Sequence, residues 1–231
     1  MIQAVDLLKE FKLGSQVIQA LDGLNIEISS GEFVSVAGPS GSGKSTLLMS
    51  LGGLVRPTSG RVLYNGVDIY AQPPNWQARF RKDTVGFVFQ QFHLIPYLST
   101  WENVALPLML DSSHSKQHKE IAVGHLDRLG LGSRLDHKPF QLSVGQQQRV
   151  AMARTLVNDP AIILADEPTG NLDPSLATDL VRLLKGLNKE GKTIVLVTHS
   201  KEIAKAASRH LSLREGRIQE TVNKPRKEHT P

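Results

Sequence analysis

Cysteine is absent from this chain of 231 residues, and so are long apolar runs and a strong net charge. Without cysteine there can be no disulfide, thiol nucleophile or thiolate zinc site, which suits a reducing compartment. No apolar stretch approaches the roughly 20 residues of a membrane-spanning helix, and the N-terminus lacks the basic and then apolar pattern of a signal peptide. The net charge of +5 is mild, and we interpret it as a solvated surface. We therefore expect a cytosolic protein, or one that partners attach to a membrane surface.

The hydrophobic content of 40% is enough for a buried core, either in one large domain or in two lobes that share a site. No internal repeat or heptad pattern is present. In the N-terminal third, Leu24–Ile28 alternates between apolar and polar residues, and Gly60–Gly66 has the same style. These patterns predict a region rich in antiparallel strands.

The segment from Trp101 to Asn158 differs, because its apolar residues recur with a helical period. The predicted helices are Glu102–Leu110, Gln117–Leu129 and Gln146–Leu156, and the first connection is Asp111–Ser115. We interpret this segment as a helical insert.

After the insert, strand and helix patterns alternate, which is typical of a parallel sheet and predicts an α/β core. In order they are a strand Ala161–Ala165, a helix Leu176–Leu187, a strand Thr193–Val197 and a helix from Lys201. The polar, proline-broken residues 223–231 are expected to be a flexible tail.

The most informative segment is Gly38–Ser45, which fits the phosphate-loop pattern G-x-x-x-x-G-K-[ST]. A predicted strand, Phe33–Ala37, precedes it and helical residues, Thr46–Leu51, follow, as the pattern requires. Glycines let backbone N–H groups surround phosphates, Lys44 can reach the terminal phosphates and Ser45 can bind Mg²⁺. The alternative is an ordinary Gly/Ser-rich turn.

Polar residues also follow the two later strands, at Asp166-Glu167 and at Thr198-His199. Since ligands of open α/β sheets bind beyond the carboxyl ends of strands, these groups can converge on one phosphate chain. Asp166 can hold the metal, Glu167 can position or deprotonate a water, and His199 can orient the γ-phosphate or the water. The alternatives are two acids that cap the next helix and a histidine that caps another.

Two further segments are candidates for the same site. Gln90 follows the predicted strand Val85–Phe89, where its amide could touch Mg²⁺ or a metal-bound water. Leu142–Gln146 directly precedes a helix and offers Ser143 as N-cap and Gly145 as a glycine of close approach, so it predicts a second anion site. A phosphate loop leaves the far side of the γ-phosphate open, and such a site could cover it. The alternative is an ordinary capped helix start.

Taken together, these segments resemble the ATP-binding-cassette family from about Ala4 to Glu220. The resemblance implies a P-loop NTPase (RecA-like) core with an antiparallel β subdomain and an inserted helical subdomain. It assigns residues 1–89 and 160–222 to the nucleotide-binding core and 90–159 to the helical subdomain of a single 1–231 domain. The nucleotide-binding residues that it implies are Phe11, Gly38, Pro39, Ser40, Gly41, Ser42, Gly43, Lys44, Ser45, Thr46, Ser143, Gly145, Gln146 and Asp173.

The resemblance also implies an ATPase whose cofactors are ATP and Mg²⁺, with Ser45, Gln90 and Asp166 at the metal and Lys44, Gln90, Glu167 and His199 in catalysis. The segment Leu142–Gln146 is similar to the family's signature motif. Two copies would close head to tail around two ATP, and Ser143 in the signature of each would cover the γ-phosphate held by the other. Val144 departs from the usual double-glycine signature, and its β-branched side chain could slow or reshape closure. Phe11 would stack on adenine, although a core phenylalanine is the competing interpretation.

Within the family, Ala165–Asp173 and Trp101–Leu108 are most similar to the branch that contains the MacB, LolD and FtsE proteins. This similarity implies an integral membrane permease of the FtsX or MacB type as partner, a peripheral location at the cytoplasmic face of the inner membrane, and a role in export, lipoprotein release or mechanotransmission. The permease would dock near Gln90 to Glu102, where His93–Leu98 is either an exposed apolar contact or a buried loop.

Two other function classes remain as alternatives. A soluble cassette that acts on nucleic acid or ribosomes usually carries two cassettes, coiled-coil arms or zinc modules, none of which this sequence shows, so no nucleic acid is expected. A small-molecule kinase has no reason to carry the signature, the Asn171–Asp173 segment or His199.

Overall fold

The computed structural model describes residues 1–110 and 115–223, which form two sheets with helices around them. In chain order the strands are β1 (Ile2–Leu13), β2 (Gln16–Ile28), β3 (Phe33–Ala37), β4 (Ser59–Tyr64), β5 (Val67–Asp68), β6 (Val85–Phe89), β7 (Ile162–Asp166), β8 (Thr193–Val197), β9 (Arg209–Arg214) and β10 (Arg217–Asn223). The helices are α1 (Lys44–Leu51), α2 (Pro74–Thr84), α3 (Thr100–Ala105), α4 (Ser115–Arg128), α5 (Val144–Leu156), α6 (Pro174–Lys189) and α7 (Lys201–Ala204).

The larger sheet has six strands in the order β10-β9-β3-β8-β7-β6. The five strands β9, β3, β8, β7 and β6 are parallel to one another. Of the described strand pairs in this sheet, only that of β10 with β9 is antiparallel. Both faces of the parallel part are covered, because alternate residues of one strand enter different core clusters. In β8, for example, Val195 packs in the cluster that includes α1 and Leu196 in the cluster that includes α6. The sequence prediction of an α/β core with a parallel sheet is confirmed.

The smaller sheet has the order β2-β1-β4-β5, and every pair in it is antiparallel. It contains the two segments of the N-terminal third whose alternation predicted antiparallel strands, which confirms that prediction. Buried residues of this sheet, among them Leu7, Leu21 and Leu24, share a core cluster with Leu47 and Leu48 of α1. The helix that begins at the phosphate loop is therefore held between the two sheets.

The helices α3, α4 and α5 lie between β6 and β7 in the chain and have their own core, which includes Val104, Leu126 and Val150. The predicted helix Glu102–Leu110 is wrong in its second half. The α-helix ends at Ala105, because Pro107 has no N–H to continue the ladder, and Leu108–Leu110 forms a single 3₁₀ turn. The predicted connection Asp111–Ser115 lies outside the described residues except for Ser115, where α4 begins.

Further helices also begin earlier than predicted; α4, for example, begins at Ser115 rather than at Gln117. Helix α5 begins at Val144 and α6 at Pro174, because Ser143 and Asp173 accept hydrogen bonds from the first free backbone N–H groups. Of the predicted tail, Asn223 is instead the last residue of β10, and residues 224–231 lie outside the described part. Within the described part, no helix has the length and apolar character needed to cross a membrane.

Candidate functional site

The polar residues that follow β3, β7 and β8 meet at one edge of the large sheet, since these three strands are neighbours in it. They line a cavity of about 490 Å³. Its lining comprises Phe11, Ala20, Ser40, Gly41, Gly43, Lys44, Ser45, Thr46, Gln90, Glu167 and His199. The structure thus brings together most of the predicted site residues, although they are spread over nearly the whole sequence.

The loop between β3 and α1 keeps its shape only with glycine at two positions. Gly43 has φ +99°, and a Cβ built there would lie 2.1 Å from the carbonyl oxygen of Ala20. A Cβ at Gly38 would lie 2.1 Å from the carbonyl oxygen of Leu213. The loop is therefore in close contact with the main chain of both sheets, which only glycine permits at these two positions.

Further hydrogen bonds connect this loop to the turn between β9 and β10. The N–H of Gly216, in the turn between β9 and β10, donates to the carbonyl oxygen of Ser42 at 3.1 Å, and the Gly216 carbonyl accepts from the N–H of Asp22 at 3.1 Å. The side chain of Asp22 in turn binds Arg217 at 2.6 Å. Gly216 and Ala20 could not be predicted from the sequence, because their contribution depends on long-range backbone contacts.

Lys44 is the first residue of α1, and only 8% of it is exposed. Its Nζ donates to the carbonyl oxygens of Gly38 and Pro39, each at 2.9 Å, so the ammonium group lies within the loop. The Ser42 hydroxyl oxygen is also buried in the loop and has no hydrogen-bond partner among the described residues. Both groups are polar hydrogen-bonding groups suited to a phosphate.

Asp166 ends β7, and its Oδ1 accepts a hydrogen bond from the Ser45 hydroxyl at 3.0 Å. Burial raises the pKa of the Asp166 carboxyl, and the charge of Glu167 adds to this, whereas the Ser45 hydrogen bond and Lys44 act in the opposite direction. A partly desolvated carboxylate beside a hydroxyl is an oxygen donor set of the kind that Mg²⁺ prefers. The residues therefore fit the predicted magnesium site.

Glu167, the next residue, points to a different group. Its Oε2 lies 2.9 Å from Nδ1 of His199 and accepts the backbone N–H of His199 at 3.2 Å. Its backbone has φ +45°, a left-handed conformation that is uncommon for a non-glycine residue, and its N–H donates to the carbonyl oxygen of Val197. The two adjacent carboxylates are thus separated, one beside Ser45 and the other beside His199.

Gln90 follows β6 and lines the same cavity, but its amide is bound to the segment after β7. Its Nε2 donates to Asn171 Oδ1 at 3.2 Å, and Asn171 Nδ2 donates to the Gln90 carbonyl oxygen at 3.1 Å. A Cβ at Gly170 would lie 2.6 Å from Gln90 Nε2, so glycine permits this contact. The pairing connects the start of the helical insert to the segment that leads into α6, a link that the sequence did not reveal.

Phe11 is 42% exposed and lines the cavity, and the Lys9 ammonium lies 4.9 Å from its ring centroid. The alternative interpretation of Phe11 as a core residue is therefore wrong. An exposed aromatic ring beside a phosphate loop offers a flat apolar surface for a base.

Four of the predicted nucleotide-binding residues do not line the cavity: the signature residues Ser143, Gly145 and Gln146, and Asp173 at the start of α6. The Ser143 hydroxyl accepts from the Gln146 N–H at 3.3 Å, and Gln146 Oε1 accepts from the Ser143 N–H at 2.9 Å, which confirms Ser143 as an N-cap. Val144 is 49% exposed, so its β-branched side chain fits the fold without a clash.

The close approach predicted for Gly145 is to another helix of the same chain. A Cβ at Gly145 would lie 2.6 Å from Leu176 Cδ2 on α6. The exposed tip of α5, Ser143-Val144, therefore sits directly against the first turn of α6, which Asp173 caps by accepting from the N–H groups of Ser175 and Leu176. These hydrogen bonds lower the pKa of the Asp173 carboxyl.

Arg154, near the end of α5, is a functional candidate that sequence analysis missed. Its guanidinium donates to the carbonyl oxygens of Phe92 and His93, at 2.6 and 2.7 Å, in the loop after Gln90. Burial lowers the pKa of Arg154. The helix that carries Ser143 at its N-terminus is thus bound at its other end to the loop that follows Gln90.

A glycine-rich loop between a parallel strand and a helix, with a lysine in the loop and a Ser–Asp pair beside it, defines a P-loop nucleoside triphosphatase. The sequence of residues 21–170, well over half of the chain, matches the family model described as ABC transporter. The chain therefore belongs to the ABC transporter family, as the resemblance implied, and it is an ATP-binding and ATP-hydrolysing cassette. Cassettes of this family form dimers and work with a membrane permease.

Individual relatives agree with this assignment. The chain is 49% identical to an uncharacterized ABC transporter ATP-binding protein, MJ1508, from Methanocaldococcus jannaschii, over 97% of this chain and 100% of that one. It is 45% identical to the macrolide export ATP-binding/permease protein MacB from Hyphomonas neptunium, over 94% of this chain. Here the chain spans only 34% of the relative's length.

Solved structures share the fold. The dimeric post-hydrolysis structure of the ATP-binding cassette MJ0796, bound to ADP and Pi, matches with a TM-score of 0.89 and 42% identity, over 96% of this chain and 98% of that one. The cassette cbiO1 from Clostridium perfringens, part of the cbiONQ transporter complex, matches with a TM-score of 0.83 and 30% identity, over 96% and 88% of the two chains.

Proposed function

We propose that two copies of this chain close head to tail around two ATP molecules, so that the tip of α5 in one copy covers the phosphate loop of the other. The observation that carries this proposal is the separation of the two half-sites. Lys44, Glu167 and His199 line one cavity, whereas Ser143 lies outside it on an exposed helix tip. Because a phosphate loop surrounds only one side of a triphosphate, the remaining hydrogen-bond donors must come from elsewhere.

The tip of α5 is suited to that task. The Ser143 hydroxyl accepts the N–H of Gln146, so its own hydrogen is available to donate to a phosphate oxygen. The start of an α-helix also carries partial positive charge, which favours an anion. Val144, which stands in place of the usual glycine, is half exposed and would form part of the contact with the second copy.

The loop side would supply the other contacts. Lys44 would exchange its two loop carbonyl partners for phosphate oxygens, and Ser45 with Asp166 would hold the magnesium ion, with Gln90 nearby. Bound Mg²⁺ supplies positive charge that neutralises the phosphate oxygens. Glu167 would orient and deprotonate the attacking water, while His199 fixes the Glu167 carboxylate through its ring and its backbone N–H.

The permease would dock at the surface formed by the end of β6 and the loop after Gln90. A cavity of about 380 Å³ lies there and is lined by Phe89, His93, Pro107 and Arg154, among others. Tyr97 in the same loop is 74% exposed, so an apolar contact is available on this side of the helical insert. Through Arg154, movement of α5 would shift the carbonyl groups of this loop, which gives the permease a mechanical connection to the nucleotide site.

Similarity to MacB relatives along the whole chain supports an export-type system, in which this chain lies at the cytoplasmic face of the membrane through a permease of the FtsX or MacB type. Its residues 90–159 would move as the helical subdomain against a core formed by 1–89 and 160–222. ATP binding would close the dimer and hydrolysis would reopen it.

Trapping of the closed dimer tests the catalytic part of the proposal. We expect Glu167→Gln to bind ATP·Mg²⁺, to lose nearly all turnover and to accumulate as a dimer in light scattering. Lys44→Ala should bind nucleotide weakly and stay monomeric, and Glu120→Gln, at an exposed position of α4, should behave as the wild type. Near-normal hydrolysis by Glu167→Gln would remove Glu167 from its proposed role.

Co-purification tests the partner. Recovery of the wild-type chain with an integral membrane protein, weakened by substitution of Tyr97 to Asp, supports the permease. Recovery with RNA or ribosomes that is lost at high salt would instead support a nucleic-acid machine.

A further inference from the structure

A second cavity, remote from the phosphate loop, lies where the end of α4 meets α5 and α6. Its volume is about 610 Å³, within the range of roughly 300–1,000 Å³ that is usual for sites of small molecules. None of the residues around it lines the nucleotide cavity. The function proposed above gives this space no role.

The walls of this α4–α6 cavity are largely apolar. Leu129 contributes from the residue after α4, Met152 from α5, and Leu180, Leu183 and Leu187 from successive turns of α6. Such walls favour a ligand with an extended apolar body, because burial of apolar surface is the main gain on binding.

One polar side chain of the lining is buried without a complete set of partners. Gln148, on α5, is only 6% exposed, and its amide nitrogen has no hydrogen-bond partner among the described residues. A buried amide left unpaired costs free energy, so a group that accepts a hydrogen bond from it would be stabilised there. Because Gln148 lines the α4–α6 cavity, a ligand oxygen there would satisfy this requirement once the amide group rotates toward the cavity.

The charged residues around the cavity indicate which charge the acceptor group of the ligand carries. Arg182 is already paired with Asp179, at 2.8 Å. Arg128 and Arg149 form no ion pair with a carboxylate of the described chain, and Nη1 of Arg149 reaches only the carbonyl oxygen of Leu129, at 3.5 Å. The lining thus contains two guanidinium groups without a carboxylate partner in the described part of the chain and one remaining carboxylate, that of Glu190, and this balance favours an anionic ligand.

We propose that the α4–α6 cavity binds a small amphipathic carboxylate, with its apolar chain against the leucines of α6 and its head group near Gln148 and Arg149. This site goes beyond nucleotide binding and would regulate it. Leu176 lines the cavity and also touches Gly145 at the tip of α5. A ligand held between α5 and α6 therefore acts on the spacing of Ser143 relative to the first turn of α6, which sets the geometry of the proposed closed dimer.

Methyl NMR with decanoate as the probe tests binding directly. The chain has four methionines, of which Met152 lines the cavity, Met49 lies in α1 and Met109 is 48% exposed. With ¹³C-methyl methionine, we expect decanoate below its micelle concentration to shift the Met152 signal saturably and to leave Met49 and Met109 unchanged. Absence of a saturable Met152 shift, or an equal shift at Met109, would overturn the proposal, since the cavity would then hold water only or the probe would bind as a detergent.

Variants separate the proposed contacts. Arg149→Gln and Gln148→Leu should each weaken decanoate binding about tenfold, which corresponds to roughly 1.4 kcal/mol. The neutral analogue decanol should bind the wild type about tenfold more weakly than decanoate does. Lys185→Gln removes a charge from α6 outside the cavity lining and should leave the affinity unchanged. Leu183→Trp should fill the cavity and abolish binding; if it fails to fold, the Arg149 variant decides, and unchanged affinity in Arg149→Gln and Gln148→Leu would refute the site.

Discussion

Three glycines of the phosphate loop allow its backbone strain and its close packing to be measured separately. Gly41 has φ +77°, but a Cβ there would meet nothing within 4 Å. Gly38 has no positive φ, but a Cβ there would lie 2.1 Å from a main-chain oxygen. Gly43 combines both conditions, with φ +99° and the same distance of 2.1 Å. Substitution by alanine adds the same methyl group at each of the three positions. The three variants therefore separate the cost of the positive φ from the cost of the clash.

The expected losses in the free energy of unfolding follow from two effects, the left-handed backbone conformation and the clash of a methyl group with main-chain atoms. A left-handed conformation costs a non-glycine residue about 1–2 kcal/mol, so Gly41→Ala should lower the free energy of unfolding by about that amount. A methyl group forced against main chain costs about 1–3 kcal/mol, which we expect for Gly38→Ala. Gly43→Ala should lose about 2–5 kcal/mol, the approximate sum of the two effects, because the Ala20 carbonyl cannot rotate away like the end of a side chain.

Urea unfolding of the nucleotide-free variants, followed by circular dichroism, measures these differences. Gly14→Ala, in the turn between β1 and β2, is a matched control, since Gly14 has φ +61° and open space around it. It should resemble Gly41→Ala in stability and keep wild-type ATP turnover. Equal losses for Gly41→Ala and Gly43→Ala would refute the claim that Gly43 is needed for its contact with Ala20.

The remaining predictions concern a buried hydroxyl and a helix cap. The Tyr70 hydroxyl lies 2.8 and 2.7 Å from the carbonyl oxygens of Ser50 and Val55. Tyr70→Phe should therefore lower the free energy of unfolding by about 1–2 kcal/mol in urea denaturation. An unchanged midpoint of unfolding would contradict this prediction. Backbone hydrogen bonds lower the pKa of Asp173, so ionised Asp173 stabilises the folded protein above the ordinary pKa of 3.8, and this contribution is lost as pH falls through the lowered value. Asp173→Asn should therefore lose less stability than the wild type between about pH 5 and pH 3 in thermal unfolding, and parallel losses would show that the cap does not act through its charge.

Much of the site could be predicted because each part has a local signal that strand order then brings together. The phosphate loop is recognisable from eight consecutive residues, and the apolar strands before Asp166 and His199 identify those two positions as strand ends. The rule that ligands bind beyond the carboxyl ends of parallel strands then predicts that they meet, and β3, β8 and β7 are indeed neighbours.

The parts that sequence analysis missed depend on contacts between distant segments. Gly216 supports the phosphate loop only because the β9–β10 turn packs behind it, and its own sequence context is an ordinary turn. The pairing of Gln90 with Asn171 and the contact of Arg154 with the loop after Gln90 likewise join segments that are far apart in the chain. Helix ends were also inaccurate, because a single proline or a capping side chain decides where the hydrogen-bond ladder stops.

The most direct test of the composite site uses the absence of cysteine from the chain. A single Val144→Cys substitution at the exposed tip of α5 can carry a benzophenone photo-crosslinker, in a Glu167→Gln background that holds the closed dimer. The labelled chain is mixed with an isotopically heavy, unlabelled chain and irradiated with or without ATP·Mg²⁺. We predict an ATP-dependent crosslink from position 144 to residues 38–46 of the heavy chain. Crosslinks confined to the light chain, or equally abundant without ATP, would contradict a nucleotide site shared between two copies.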